Sequence, residues 1–261
     1  MAGNSHGDWI WYEVMTSNPQ GARAFYEKIV GWKISPDQGE PEYAMIEASE
    51  GMVGGMLTLT KDMTDHGARP CWLGYIAVDD VDKTVKAIVN RGGKELMPAR
   101  DIPQGRFAMV ADPQGAPFYV MKPVPPADNP EAKSMAFAGD RPMQGHCAWN
   151  ELATSDPAAA LHFYTTLFGW VKDGEMDMGE GGKYEFLRHR LVIGALMRKP
   201  PQMPASFWTF YFRVSGIDAT VERVRASGGQ VMMGPHEVPG GDWIIVGTDP
   251  QGAIFALVGS K

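Results

Sequence analysis

Two carboxylates in this sequence have matching neighbours: Glu13 stands two residues beyond Trp11, and Glu151 two residues beyond Trp149. Residues i and i+2 of an extended strand share a face, so each carboxylate is expected beside its indole. A carboxylate with aromatic neighbours loses hydration, which raises its pKa and suits it to general-base work or to holding a cationic or hydroxylated ligand. The plainer alternative is a carboxylate that accepts a hydrogen bond from backbone or a tyrosine where the domains meet. Tyr75 and Tyr211 recur in the same way. Each offers a ring and a hydroxyl donor to a small-molecule pocket, or else is a core aromatic with a satisfied hydroxyl. Arg213 extends that face where the earlier position is Ala77, so the two pockets are expected to differ in charge.

These pairs recur because the chain is duplicated. Trp11 to Trp32 and Trp149 to Trp170 align without a gap at 10 of 22 identical positions, and Trp72 to Val110 and Trp208 to Val246 at 12 of 39. The segment from Asp112 to Ala116 then returns as Asp249 to Ala253. Between the copies lie Pro123, Pro125, Pro126, Pro130 and Pro142, a composition that favours an extended connector. The expected organisation is a first domain over 1–124, a Pro-rich linker over 125–142 and a second domain over 143–261.

The elements that must position these residues follow from periodicity. Ile10 to Met15 alternates as a strand. Asn18-Pro19 and Asp156-Pro157 each combine an N-cap side chain with proline at the first helical position, and Gly31 and Gly169 end the helices. Short β-like runs follow at Tyr43 to Ala48 and Met52 to Leu59, mirrored at Tyr184 to His189 and Leu191 to Met197. Cys71 to Val78 reads as a strand, Val81 to Asn90 as an amphipathic helix, and Phe107 to Val110 and Pro117 to Met121 as strands. Each copy thus contains two successive βαβββ-like units, an α+β fold. The DPQGA segments read as turns, and no Gly-Gly pair precedes a helix in a phosphate-cradling arrangement.

Composition narrows the partners. A net charge of −7 argues against a surface that tracks nucleic acid by counterion replacement, and against an anionic membrane. The two cysteines form no CxxC, and no run of about 18 apolar residues occurs. Met1 to Asp8 has no apolar core of signal-peptide length, so the expected setting is the cytoplasm.

The order of strand, capped helix ending in Phe-Tyr-x4-Gly-Trp, three strands, and the same again ending in Asp-Pro-Gln-Gly-Ala resembles the vicinal-oxygen-chelate superfamily, the glyoxalase, bleomycin-resistance and dioxygenase group. The resemblance rests on Asn18, Phe25, Tyr26, Gly31, Trp32, Val78 to Asp82, Asp112, Pro113 and Gly115. It rests equally on Asp156, Phe163, Tyr164, Gly169, Trp170, Asp218, Asp249, Pro250 and Gly252 in the second copy. It implies two incompletely closed, barrel-like sheets, each enclosing a cavity where relatives bind a small molecule, often beside a divalent metal. The ligand positions it implies fall on Trp11, the Gly55 region, Leu73 and Tyr119, and on Trp149, the Gly194 region, Thr209 and Ala256. A tight divalent site needs several converging N or O donors, so no metal and no other cofactor is expected, a divalent metal being the alternative.

The expected function is therefore that of a metal-free small-molecule-binding protein, holding or sequestering an aromatic or hydroxylated metabolite through Trp11, Glu13, Tyr75, Tyr119, Trp149, Glu151, Thr209, Tyr211 and Arg213. The alternative is a lyase, isomerase, hydroxylase or dioxygenase-like enzyme of the same group, with Glu13 or Glu151 as base or with relocated metal ligands. The expected partners are a small molecule and the other copy within the chain, as a monomer or homodimer.

Overall fold

The computed structural model describes residues 3–39 and 41–261. The first copy runs β1 (Trp9–Thr16), α1 (Pro19–Val30), β2 (Lys33–Ile34), β3 (Tyr43–Ala48), β4 (Gly51–Thr58), α2 (Lys61–Asp65), β5 (Cys71–Ala77), α3 (Val81–Asn90), β6 (Lys94–Ile102), β7 (Gly105–Ala111) and β8 (Pro117–Pro123). The second runs β9 (Cys147–Thr154), α4 (Pro157–Phe168), β10 (Val171–Asp177), β11 (Lys183–His189), β12 (Leu191–Arg198), β13 (Phe207–Val214), α5 (Ile217–Ala226), β14 (Gln230–Glu237), β15 (Trp243–Thr248) and β16 (Ile254–Gly259). Each copy forms one eight-stranded sheet, in the orders β2-β3-β4-β1-β5-β8-β7-β6 and β10-β11-β12-β9-β13-β16-β15-β14. Neither sheet closes into a barrel. No described helix is long and apolar enough to cross a membrane.

Local chemistry sets the helices. Asn18 Oδ1 accepts the Gly21 amide at 3.0 Å, and Asp156 Oδ1 accepts the Ala159 amide at 3.1 Å. Gly31 and Gly169 leave the helices in the left-handed conformation. The next residue in each copy is tryptophan. Trp32 Nε1 donates to the Gly145 carbonyl and Trp170 Nε1 to the Gly7 carbonyl, both at 2.8 Å. Gly145 has φ +79, and a Cβ there would stand 2.8 Å from Trp32 Nε1, so no side chain fits.

Contacts divide the chain into two compact units, and each draws on both copies. One comprises the described residues up to Ile10 with Gly74–Ser134 and Trp149–Trp208; the other comprises Trp11–Leu73, Met135–Ala148 and Thr209–Lys261. In the second unit the Tyr26 hydroxyl, carried by α1, donates to Asp249 Oδ2 at 2.9 Å and accepts Trp72 Nε1 at 2.9 Å. In the first unit the Tyr164 hydroxyl, carried by α4, donates to Asp112 Oδ2 at 3.0 Å and accepts Trp208 Nε1 at 3.0 Å. The remaining oxygen of each aspartate accepts two amides of its own DPQGA turn. The DPQGA segments are turns, as read from sequence, and their aspartates also anchor a tyrosine from the other copy.

Aromatic rings surround both bonds. Tyr26, Trp32, Trp72 and Phe212 pack with neighbouring centroids 4.9–5.8 Å apart, and Tyr164 stacks on Trp170 at 5.5 Å. Burial first, and the facing aspartate second, push both tyrosines well above their ordinary pKa, so both stay protonated donors. Burial also raises Asp112 and Asp249, against the opposing pull of their donors.

The segment before β1 is held separately within the first unit. Asp8 accepts the Ser5 amide at 2.8 Å, stands 3.1 Å from His189 Nδ1 and pairs with Arg190. Burial pushes its pKa up, but the His189 bond, the Ser5 amide and Arg190 together outweigh that and bring it down to about 2.

Tyr164→Phe removes the donor to Asp112 and the acceptor of Trp208 together, so it is expected to cost about 1–3 kcal/mol in denaturant unfolding, as is Tyr26→Phe; a loss near zero would show that the bond does not brace the fold. Asp8 has a depressed folded pKa, so its contribution, about 2 kcal/mol, is present above pH 4 and fades as pH falls through 4 toward 2. Asp8→Asn should therefore lower stability at pH 7 and flatten the acid limb of a stability–pH curve; parallel curves for wild type and variant would contradict this.

Candidate functional site

On β1, Trp11 and Glu13 point to one side of the strand and Tyr12 and Val14 to the other. Pairing carries that face across the sheet: Glu13 is level with Gly55 on β4, which is level with Met45 on β3, while Met15 is level with Leu57 and then Tyr43. Trp11 Nε1 donates to the Tyr43 hydroxyl at 2.9 Å, and that hydroxyl donates to Glu13. The result is a relay of indole, phenol and carboxylate. Burial first, then the Glu13 charge, hold Tyr43 well above its ordinary pKa, so it remains a donor. Burial and the same charge push the Cys71 thiol up to about 12, which leaves it unreactive at neutral pH.

The second copy builds the same relay in the other unit. Trp149 Nε1 donates to the Tyr184 hydroxyl at 2.8 Å, and Tyr184 donates to Glu151 Oε2 at 2.7 Å. Here Glu151 is level with Ala195, and Ala195 with Phe186. Two differences separate the copies. Glu13 is 2% exposed, whereas Glu151 is half-buried. A Cβ on Gly55 would stand 1.9 Å from the Tyr43 hydroxyl oxygen and 2.2 Å from the ring carbon bearing it, so Tyr43 occupies space that a side chain would take. The second copy has a methyl group at that level, on Ala195.

The other candidates fall into two further groups. Tyr75 and Tyr119 are level on β5 and β8 and stack at 4.2 Å and 19°, with Phe107 within 6.1 Å of both and Arg100 4.8 Å over Phe107. They form a nearly closed aromatic stack, 7% and 3% exposed. Thr209 and Tyr211 are buried on β13, where Tyr211 is level with Ala256. Arg213 reaches both carboxylate oxygens of Asp242, at 3.1 and 2.6 Å, so its charge is already matched.

The positions that the family resemblance assigns to metal ligands carry few donor atoms. The one polar atom of Trp11 is an N–H donor directed at Tyr43, that of Trp149 is directed at Tyr184, and Gly55, Leu73, Gly194 and Ala256 have no side-chain donor atom. Tyr119 and Thr209 add one neutral hydroxyl in each copy. Such a set does not fit a divalent cation. Among the described residues, no three His, Cys, Asp or Glu side chains converge. His146 is fully buried, with Nδ1 2.5 Å from the Met135 carbonyl.

Sequence reasoning placed the indoles and carboxylates on these strands but missed the tyrosines that join them. Tyr43 lies 32 residues after Trp11, and Tyr184 lies 35 after Trp149. Loops of unequal length put them out of step in an ungapped comparison. Aligning Tyr43–Ala48 of β3 with the last six residues of β11, 184–189, brings them together. Asp242 and Phe186 were missed as well.

Comparison with known proteins gives a consistent likeness. The profile of the Glyoxalase/Bleomycin resistance protein/Dioxygenase superfamily matches residues 10–120 and again 144–257. CFP32 of Mycobacterium tuberculosis, which carries a glyoxylase name, is 32% identical over 253 residues, covering 95% of this chain and 93% of its own length. DauV of a Streptomyces species, described as an anthracycline biosynthesis protein, is 35% identical over 264 residues, covering 95% of this chain and 91% of its own. The solved structure of 2,2',3-trihydroxybiphenyl 1,2-dioxygenase from Sphingomonas wittichii has a TM-score of 0.66 at 12% identity, over 98% of this chain and 91% of that one. That last likeness is one of fold.

The role of Gly55 can be tested by Gly55→Ala. The added methyl must push Tyr43 off its present seat, which is expected to cost about 1–3 kcal/mol in unfolding free energy, while Ala195 beside the intact Trp149–Tyr184 bond shows that the displaced phenol can still meet its indole. A crystal structure of the variant with the Tyr43 ring in its original place, together with unchanged stability, would show that the close approach does not matter.

Proposed function

Because the chain belongs to the glyoxalase/bleomycin resistance protein/dioxygenase superfamily, we propose that it uses that fold to bind a small aromatic or hydroxylated metabolite without a metal ion, at the Trp149–Tyr184–Glu151 relay of the second copy. The observation that carries this reading is the recurrence of the relay in both copies with only the second carboxylate half-buried. In such a site Trp149 fixes Tyr184 through its N–H, Tyr184 fixes the Glu151 carboxylate, and half-buried rings stand beside it. The anthracycline-pathway description of DauV supports an aromatic ligand class. The net charge of −7 and the absence of any membrane-crossing helix among the described residues favour a small molecule as partner, in the cytoplasm.

A second reading draws on the 2.7 Å bond between Tyr184 and Glu151. A carboxylate oriented by a phenol can accept a proton from a bound substrate, as in a lyase or isomerase of this superfamily, with Glu151 as base and the phenol steadying the charge. Turnover of glyoxal-type or aromatic substrates by metal-free protein separates this reading from binding alone.

The test uses a panel of hydroxylated aromatic compounds followed by tryptophan fluorescence. Glu151→Gln keeps the shape and removes the charge, and it is expected to weaken the best ligand by about 10- to 100-fold, the scale of a hydrogen bond to a charged group. Unchanged affinity would remove Glu151 from the site. Stoichiometric zinc, nickel, manganese or iron in untagged protein, lost in Glu13→Gln or Glu151→Gln, would overturn the metal-free part of the reading.

A further inference from the structure

Met45 of the first copy and Phe186 of the second stand at matching places, each level with the small residue that is itself level with the relay carboxylate. The first copy therefore carries a thioether where the second carries a ring. Along β3, Tyr43, Met45 and Glu47 alternate with the buried Ala44, Ile46 and Ala48. Met45 is 36% exposed, and Met52, level with Glu47, is 46% exposed. Met15 on β1 and Met56 on β4 are 7% and 0% exposed. An exposed thioether takes an oxygen atom from a peroxide, and the product is a sulfoxide, a polar acceptor in place of an apolar sulfur.

Position ties Met45 to the relay. Directly opposed residues of paired strands have their Cβ atoms about 4.5–5.5 Å apart. The place opposite Met45 is the one that Gly55 leaves without a side chain, and the Tyr43 hydroxyl oxygen fills it, 1.9 Å from where a Cβ would stand. The Met45 side chain thus leaves the sheet beside the phenol that receives the Trp11 N–H at 2.9 Å and donates to Glu13. The thiols compete poorly for the same oxidant. Burial and then the Glu13 charge push Cys71 up to about 12, and Cys147 is fully buried.

We propose that Met45 is a reversible oxidation site through which a peroxide acts on the first copy's relay. The sulfur lone pair attacks one peroxide oxygen and the O–O bond breaks. The other oxygen takes the proton of the first and leaves as water, so sulfur loses two electrons and the peroxide gains them. The new sulfoxide oxygen accepts from the Tyr43 hydroxyl in competition with Glu13, which turns the phenol away from its indole. A thiol-dependent sulfoxide reductase returns the thioether, with the oxygen released as water and two thiols joined as a disulfide. Met52 oxidises as well, but it is level with Glu47 and not with Gly55, so it lies outside the relay.

The test adds hydrogen peroxide to the full chain labelled with 5-fluorotryptophan, with oxygen gain at each methionine read by peptide mass spectrometry and the Trp11 resonance assigned by Trp11→Phe. Met45 and Met52 are expected to gain oxygen about tenfold or more faster than Met15 and Met56. The Trp11 resonance should move in step with oxidation of Met45 and return when methionine sulfoxide reductases and dithiothreitol are added. It should stay in place in Met45→Leu, which keeps the volume and removes the sulfur, and still move in Met52→Leu. Oxidation of Met45 no faster than that of Met56 would overturn the site. Oxidation of Met45 with a motionless Trp11 resonance, or movement that persists in Met45→Leu, would overturn its action on the relay.

Discussion

A buried phenol–carboxylate bond, made twice, is the constraint on which the rest of this molecule depends. Tyr26 on the first copy's helix reaches Asp249 in the second copy's turn, and Tyr164 on the second copy's helix reaches Asp112 in the first. Each aspartate uses its other oxygen to shape the turn that leads into a sheet strand. One side chain therefore sets a turn, receives a helix from the other copy and, through that tyrosine, satisfies a buried indole. Removing any member leaves another buried polar group unsatisfied, which is why three residues of unlike type, tryptophan, tyrosine and aspartate, recur together at such distant places in the sequence.

The same chemical sequence of indole, phenol and carboxylate appears again on the strand faces, with Glu13 and Glu151 as the carboxylates. Inside the units it serves to close the core, and on the strand faces it orients a charge. Small differences in side-chain volume then separate the two faces. Gly55 lets Tyr43 lie against the sheet above a sealed Glu13, while a methyl on Ala195 and a ring on Phe186 accompany a more open Glu151. Duplication thus left two equivalent relays that differ in how far their carboxylates are sealed.

Much of the fold was legible in the sequence because its signals are local. The Asn18-Pro19 and Asp156-Pro157 caps, the helix from Val81 to Asn90 and the apolar run of β5 stand close to where periodicity puts them. β6, β10 and β14 were not legible, since they are largely exposed and carry no alternation for a period-two reading to find. The site was legible in part. Glu13 and Glu151 share faces with their tryptophans because strand alternation is fixed by geometry, whereas Tyr43 and Tyr184 arrive from separate strands through pairing that no local pattern encodes. The sharing of each compact unit between the copies was hidden for the same reason, because the bond from Tyr26 to Asp249 spans 223 positions of sequence.

If the two relays differ in their access to ligand, fluorine NMR of protein labelled with 5-fluorotryptophan reads the difference at each indole separately. The resonances of Trp11 and Trp149 are assigned by single Trp→Phe substitutions and followed during titration with the tightest-binding compound of the hydroxylated aromatic panel. The Trp149 resonance is expected to shift to saturation while that of Trp11 stays in place. Movement of the Trp11 resonance alone, or of both resonances with the same midpoint, would contradict it.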